Sequence, residues 1–488
     1  MGKRIKAFLT MGFASVIQVL INVLRTKLIA VILGPFGISI TSYLNNFIAT
    51  ITSFTNLGIN NGIIKEISKD KDNKEYIKKV EATSYAVTTV LSIIAVLIIA
   101  FMSKNIAERI LKDTSYYSYI IISSIAIPFL TLNLINISVI NGFSGIKELG
   151  KANVISSIVS LIVSTLLTLF FKTKGAVYSI PVTAFITCIV YFFYGSKCFK
   201  SNGTITHINI KDIQISVMKP LIRYGIVVIF TSVLTNYSML FIRTIIINNL
   251  GIEANGIFQS VWAMTNQYMM LILSALTIYY MPTLCSKGTK DEMSKEMNDT
   301  LNLVLKLIVP VLILVLNTRW ILIRVLYSAE FVAASIIVPI FLIADFFKTI
   351  AWCLGMPLYT IPKLKMQIIA EIIYDGVMIL FTAFFINKVG LFSIGIGYFV
   401  SQLLLSITYY FYMKKTIDFE LIKKNLKLII TSVIALALTL ASSYFISKGT
   451  EILISVGILI LWIKINIDKS EVTMAIEFVK NKINKKLN

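Results

Sequence analysis

Residues 22–37 read NVLRTKLIAVILGPFG, an apolar stretch that carries two cations, Arg25 and Lys27, and runs into a short break at Leu33–Gly37. The stretch returns at 242–256 as IRTIIINNLGIEANG. Arg243-Thr244 matches Arg25-Thr26, Leu250-Gly251 matches Leu33-Gly34 after a one-residue gap, and Gly256 falls beside Gly37. A second pair recurs at a similar offset: LFFKTKGAVYSIPV (169–182) echoes FFINKVGLFSIGIG (384–397), with Gly175 against Gly390. Two matches at offsets of roughly 218 and 215 residues, in one orientation, read as one plan used twice.

Composition says which medium the plan is built for. The chain has 488 residues, is 57% hydrophobic and only 14% charged, with a mean hydropathy of +0.82. Soluble domains carry about 25% charged residues; this chain has too little polar residue to cover a soluble surface. Apolar runs of about twenty residues, each enough to cross ~30 Å of hydrocarbon, predict fourteen spans. They fall near 7–33, 39–63, 80–102, 117–142, 150–171, 176–196, 222–249, 257–284, 300–317, 333–360, 366–387, 391–413, 427–447 and 449–465. The expected fold is an all-α polytopic membrane protein of about 14 transmembrane helices. Spans 1–6 and 7–12 begin on the same side, so they form two six-helix lobes related as parallel repeats around a central cavity. Residues 1–200 are then the N-lobe, 201–221 a cytoplasmic linker and 222–413 the C-lobe; 414–488 hold spans 13 and 14 and a basic tail.

The formal net charge of +22 fits the positive-inside rule better than a nucleic-acid partner. About 32 of the Lys and Arg residues fall in connections on the side of the N-terminus and about 9 on the other, which puts both termini in the cytoplasm. The basic, then apolar, start of the chain reads as an uncleaved first helix, because Gln18, Asn22 and Arg25 interrupt the run and no clear cleavage site follows. Cys188, Cys198, Cys285 and Cys353 have no metal or disulfide spacing. There is no G-x-x-x-x-G-K-[ST] sequence, and the single histidine, His207, lies in the linker, away from any buried acid–base role. Connections on the outer side, such as LGPFGI, are too short to build an enzyme site. The reading is therefore a transporter: no enzyme, no metal, no nucleic acid, and no cofactor beyond a coupling H⁺ or Na⁺.

Helical phase picks out candidate residues. Gln18, Asn22 and Arg25 recur at i, i+4 and i+7 on one face of span 1, and Ser232, Asn236 and Arg243 mark a comparable face of span 7. Each arginine lies about eight residues before the outer turn, roughly 12 Å deep at 1.5 Å per residue. The two arginines at matching depth are expected to face each other across a cavity between the lobes, the alternative being that they snorkel to the headgroups, which is the expectation for Lys27. Asp345 and Lys348 are i, i+3 in span 10, as an ion pair or with Lys348 left for an anion; Glu371 and Asp375 are i, i+4 in span 11. Asp345, Glu371 and Asp375 are the candidates for ion coupling. Spans 1–6 are expected to hold no buried carboxylate, since Glu66, Asp113 and Glu148 fall at connections. Further amides at Asn45, Asn46, Gln259, Asn266, Gln267 and Gln402 are mostly interhelical glue.

LGPFG after the first span, NLGINNGIIKEIS (56–68) ending the second and YYMPTLCS (279–286) ending the eighth together resemble the O-antigen and related oligosaccharide-lipid flippases, the Wzx type. These belong to the multidrug/oligosaccharidyl-lipid/polysaccharide exporter superfamily, and the resemblance covers roughly residues 1–413. It implies two lobes around a cationic cavity that moves undecaprenyl-pyrophosphate-linked oligosaccharide from the cytoplasmic to the outer leaflet of a bacterial inner membrane. Membrane lipids and the polysaccharide polymerase and chain-length machinery are the implied partners. Arg25 and Arg243 would then attract the pyrophosphate, with Lys348 next and Gln18, Asn22 and Asn236 beside them. The chain departs from many members in the two spans after residue 413, which also occur in the related lipid II flippases. A lipid II flippase, a cation-coupled drug exporter of the same superfamily and, as another class, a membrane-embedded polymerase or acyltransferase stay open as alternatives.

Overall fold

The structure is a computed structural model that describes residues 2–69, 71, 73–201, 212–287, 289–360, 364–445 and 448–467. Most of the expected linker, with His207, and the basic tail lie outside the described residues. In chain order the helices are α1 (Gly2–Thr55), α2 (Asn60–Lys69), α3 (Lys74–Leu111), α4 (Tyr117–Ser124), α5 (Ala126–Gly142), α6 (Ile146–Ser201), α7 (Met218–Leu250), α8 (Ile252–Ser286), α9 (Lys290–Leu326), α10 (Val338–Gly355), α11 (Pro357–Thr360), α12 (Leu364–Val389), α13 (Phe392–Ile417), α14 (Lys423–Phe445) and α15 (Lys448–Asn466). Among the described residues there is no strand.

The protein is an all-α, multi-pass membrane protein. Ten helical stretches among the described residues are long and apolar enough to cross a bilayer, against fourteen expected. Two of the ten, Val16–Thr55 with 40 residues and Ile146–Cys198 with 53, would run about 60 and 80 Å if straight, well beyond the ~30 Å hydrocarbon core. Each is broken. In α1 the break is Gly34, at φ 63° and ψ −167°, a conformation open to glycine alone and followed by Pro35, which has no N–H to continue the helix. The matched residue of the second half, Gly251 after α7, takes nearly the same conformation, φ 94° and ψ 171°. The other matched pair differs: the second half turns at Gly390, φ 58°, but α6 breaks at Lys172, φ 52°, three residues before Gly175. Span 2 also ends earlier than expected. α1 stops at Thr55, and a short amphipathic helix, α2, buries Gly62, Ile63 and Ile67.

The chain divides into two compact units: residues 1–267, 323–334 and 364–397, and residues 268–322, 335–363 and 398–488. In the first, α1 packs on α6 and α7, α5 on α6, and α12 on α7. The turn between α1 and α2 lies directly on α7. Gly58, at φ 57°, and Gly225 meet backbone to backbone, so that a Cβ on either would strike the other's main chain. In the second unit, α9 turns Leu301, Leu305, Ile308, Leu312 and Leu316 inward while Leu303, Leu307 and Leu314 stay exposed. That is the apolar-all-round pattern of a helix with protein on one side and lipid on the other.

Candidate functional site

The first unit encloses a cavity of about 590 Å³ walled by α1, α5, α6 and α7 together with the turn before α2. The predicted residues Gln18, Asn22 and Asn236 all line it. A second cavity of about 350 Å³ shares Asn45, Leu130, Ser160 and Thr187 with the first. Arg25 lines this smaller space, so the Gln18–Asn22–Arg25 stripe of α1 runs along one continuous polar wall.

These polar groups tolerate an apolar helix because the helix itself satisfies many of them. Thr26 donates to the Asn22 carbonyl at 2.9 Å, Thr41 to Gly37 at 2.8 Å and the Asn45 amide to Thr41 at 2.8 Å, the back-bonding pattern of Ser, Thr and Asn inside helices. Asn236 donates to Ser53 Oγ at 3.1 Å and to the Ser232 carbonyl at 2.9 Å, which joins α7 to α1 across the cavity wall.

The two matched arginines end up in different roles. Arg25 faces the smaller cavity, and among the described residues no side chain accepts a hydrogen bond from it. Arg243 is 3% exposed and fully engaged. Its Nε donates to Asn46 Oδ1 at 2.8 Å, its Nη1 to Ser42 Oγ and Asn255 Oδ1 at 3.1 Å each, and its Nη2 to Gln259 Oε1. The guanidinium also lies over the Phe258 ring, 5.4 Å from its centroid. Ser42 and Gln259 both line the smaller cavity, so Arg243 stands behind that wall and ties α1, α7 and α8 together. The Lys27 ammonium donates to the Val325 carbonyl at 2.5 Å, in the last turn of α9, where free carbonyls favour a cation.

The candidate ion-coupling residues separate likewise. On α12, Glu371 accepts from Thr235 of α7 at 3.3 Å, and Asp375, one turn on, is 4% exposed with Oδ2 unbonded. Asp345 belongs to the second unit, where it is fully buried and accepts from Tyr398 at 2.7 Å and from Tyr268. Lys348, in the same unit, lies 5.9 Å from the Tyr398 ring centroid. Neither lines the cavities of the first unit. The expectation that spans 1–6 bury no carboxylate is corrected by Glu81 of α3, 7% exposed beside the apolar cluster of Ile77, Val80 and Tyr85. It lies only seven residues into a helix whose first two turns carry Lys74, Glu75, Lys78 and Lys79, so its burial was not visible in the helical pattern.

Sequence reasoning did not single out much of the cavity wall, Asn56, Asn60, Asn133, Ser156, Ser160 and Thr187 among it. A signal existed in α6, where Ser156, Ser160, Ser164 and Thr168 recur every fourth residue, but such a stripe fits plain back-bonding equally well. Among the described residues no group of three His, Cys, Asp or Glu gathers in a form that would hold a metal ion.

Comparison with known proteins fits this architecture. A model of the family described as "Polysaccharide biosynthesis protein" matches residues 5–286, and the chain belongs to that family. It is 20% identical over 394 residues to the "Lipid III flippase" of Escherichia coli (strain K12), an alignment covering 79% of this chain and 92% of that one. Among solved structures it resembles an inward-facing multidrug resistance MATE family transporter of the MOP superfamily, with a TM-score of 0.69, 14% identity, and coverage of 82% of this chain and 94% of the other. It also resembles the lipid II flippase MurJ in an inward closed conformation, with a TM-score of 0.68, 16% identity, and coverage of 94% and 98%. At such identities the structures share the fold.

Proposed function

We propose that this member of the polysaccharide biosynthesis protein family is a flippase. It moves an undecaprenyl-pyrophosphate-linked oligosaccharide, an O-antigen or capsule repeat unit, from the cytoplasmic to the outer leaflet by alternating access. The observation that carries the reading is a polar space of sugar-sized dimensions inside an apolar helical bundle, with an arginine on its wall that has no side-chain acceptor among the described residues. A guanidinium offers five donors in a fixed fork suited to phosphate oxygens, and the pyrophosphate is the part of such a substrate that needs one. The relative from Escherichia coli, a lipid III flippase by name, supports the same class of cargo.

The setting follows: a bacterial cytoplasmic membrane, both termini on the cytoplasmic side, N- and C-lobes at 1–200 and 222–413, and polymerase and chain-length proteins as later partners of the product. Glu371 and Asp375, paired on α12 against Thr235 of α7, are the acids we assign to coupling H⁺ or Na⁺, with Asp345 as a third. Lys348 is a secondary candidate for the anion. A lipid II flippase is the second reading, favoured by the lipid II flippase structure that aligns with 94% of this chain.

The test is leaflet transfer in proteoliposomes. Wild type is expected to move a pyrophosphate-linked oligosaccharide lipid, and Arg25→Ala to slow it by about tenfold to a hundredfold, the loss of one charge-assisted contact. Unchanged transfer by a well-folded Arg25→Ala protein would remove the anion site from the reading.

A further inference from the structure

Near the end of the bundle where both halves break, at Gly34 and Gly251, a layer of polar contacts joins first-half α1 to second-half α7 and α8. Asn255 donates to Ser39 Oγ at 2.8 Å, Tyr43 and Thr244 share a hydrogen bond at 3.0 Å, and Arg243 donates to Ser42 and Asn46. Backbones close the same level: a Cβ on Gly256 would strike the Pro35 carbonyl. Ser42 and Gln259, both held by Arg243, line the smaller cavity, so this layer shuts the cavity off on that side.

The chemistry of the layer lets it come apart. Arg243 divides its four acceptors evenly: Ser42 and Asn46 belong to α1, Asn255 and Gln259 to α8 of its own half. Parting the halves removes two acceptors and leaves two, so the buried charge is not stranded. All four acceptors are neutral, and among the described residues no carboxylate pairs with Arg243. Bonds to neutral acceptors are weaker than those to a carboxylate, and water can replace the hydroxyl and amide contacts beside them. The first half has no matching device. Counting from Gly37 and Gly256, the α8 positions that correspond to Ser42 and Asn46 are Val261 and Thr265, and Arg25 faces the cavity instead.

We propose that Arg243 is the bolt of a gate: its layer shuts the cavity at the Gly34–Gly251 end and releases α1 once in every transport cycle. This rests on the alternating-access reading above, which puts that end at the outer face, and adds the residue that governs opening. The repeated Arg-Thr pair then has two tasks, Arg25 for the cargo and Arg243 for the gate.

The test reads gating without cargo. The full chain carries Thr183→Cys in the smaller cavity, together with Cys188→Ala, Cys198→Ala and Cys285→Ser. Cys353, fully buried and lining neither cavity, stays as a reporter of unfolding. A membrane-impermeant maleimide is added at the outer face of sealed vesicles. Arg243→Ala is expected to speed labelling at position 183 by about tenfold or more, as the population shifts to the open state, with Cys353 silent. Asn46→Asp gives Arg243 a counter-charge in place and is expected to slow labelling about tenfold with no loss of Tm, since a charge-assisted bond holds the layer shut. A purely structural Arg243 would leave labelling unchanged in Asn46→Asp, and that result overturns the inference. So does a wild-type rate in Arg243→Ala. If Cys353 labels in Arg243→Ala, that variant has unfolded and Asn46→Asp decides alone. Transfer of a polyprenyl-pyrophosphate oligosaccharide is measured in parallel on the native chain. Gated labelling without transfer would remove the flippase reading and leave the gate standing.

Discussion

Arg25 and Arg243 occupy the same place in a repeated motif, yet one lines a cavity and the other is locked into its wall. Their substitutions should therefore fail in different ways. Arg243→Ala leaves four side-chain acceptors from α1 and α8 without a donor, and we expect a loss of roughly 3 kcal/mol, read as a lower Tm in detergent. Arg243→Lys should recover little of it, because an ammonium lacks the planar fork. Arg25→Ala should leave Tm nearly unchanged and act on transfer. The motif that Arg25 and Arg243 share was legible in the sequence. What separated them was not, since the partner Asn46 lies 197 residues away in the chain. Glu81 makes the complementary case: a buried carboxylate with no partner among the described residues should be replaceable by Leu with a gain of about 1–3 kcal/mol, measured by the same Tm shift. A lower Tm would show that the carboxylate is stabilising where it stands.

At the scale of elements, breaks and buried pairs hold the arrangement. The Gly58–Gly225 contact lets the turn after α1 lie on α7 and closes one end of the cavity that Gly58 lines. Gly58→Ala adds a positive-φ penalty to a backbone clash, so a loss of at least about 2 kcal/mol is expected, with Tm as the readout. In the second unit, Arg319 near the end of α9 pairs with Glu451 of α15 at 2.6 Å, the side chains being 12% and 2% exposed. At the other end of α9, Asn298 accepts from Asn425 and donates to the Glu420 carbonyl. Glu451→Gln strands the buried arginine and should cost about 3–5 kcal/mol, whereas Arg319→Met with Glu451→Leu should restore most of it. Thermal unfolding of the single and double variants checks both. The helices themselves followed from hydropathy and punctuation. The pairing of α9 with α15 did not, because residues 319 and 451 carry no shared pattern.

For the whole molecule, the decisive force is the bilayer. Phe101 at 92% exposed and Phe170 at 76% make sense only against lipid, and a chain ending after residue 413 would strip Arg319 of Glu451 and Asn298 of Glu420 and Asn425 in that medium. Such a truncation should express poorly or unfold at markedly lower temperature, which a yield and Tm comparison would show; normal behaviour would make α14–α15 a dispensable appendage. The sequence by itself determined that the chain is an all-α membrane protein and that its two halves share a motif. It also placed a polar stripe along the first helix. Hydropathy, charge bias and helical period are local properties, each set by neighbours within a turn or two. Only the tertiary structure decided which arginine is exposed to a cavity and that, among the described residues, no charged side chain lines the larger one. It alone showed that Asn56, Asn60 and Asn133, far apart in the chain from Gln18 and Asn22, belong to the same cavity wall. Those facts depend on which distant side chains meet, and a hydrogen bond satisfied or left open between helices far apart in the chain leaves no periodic trace along it.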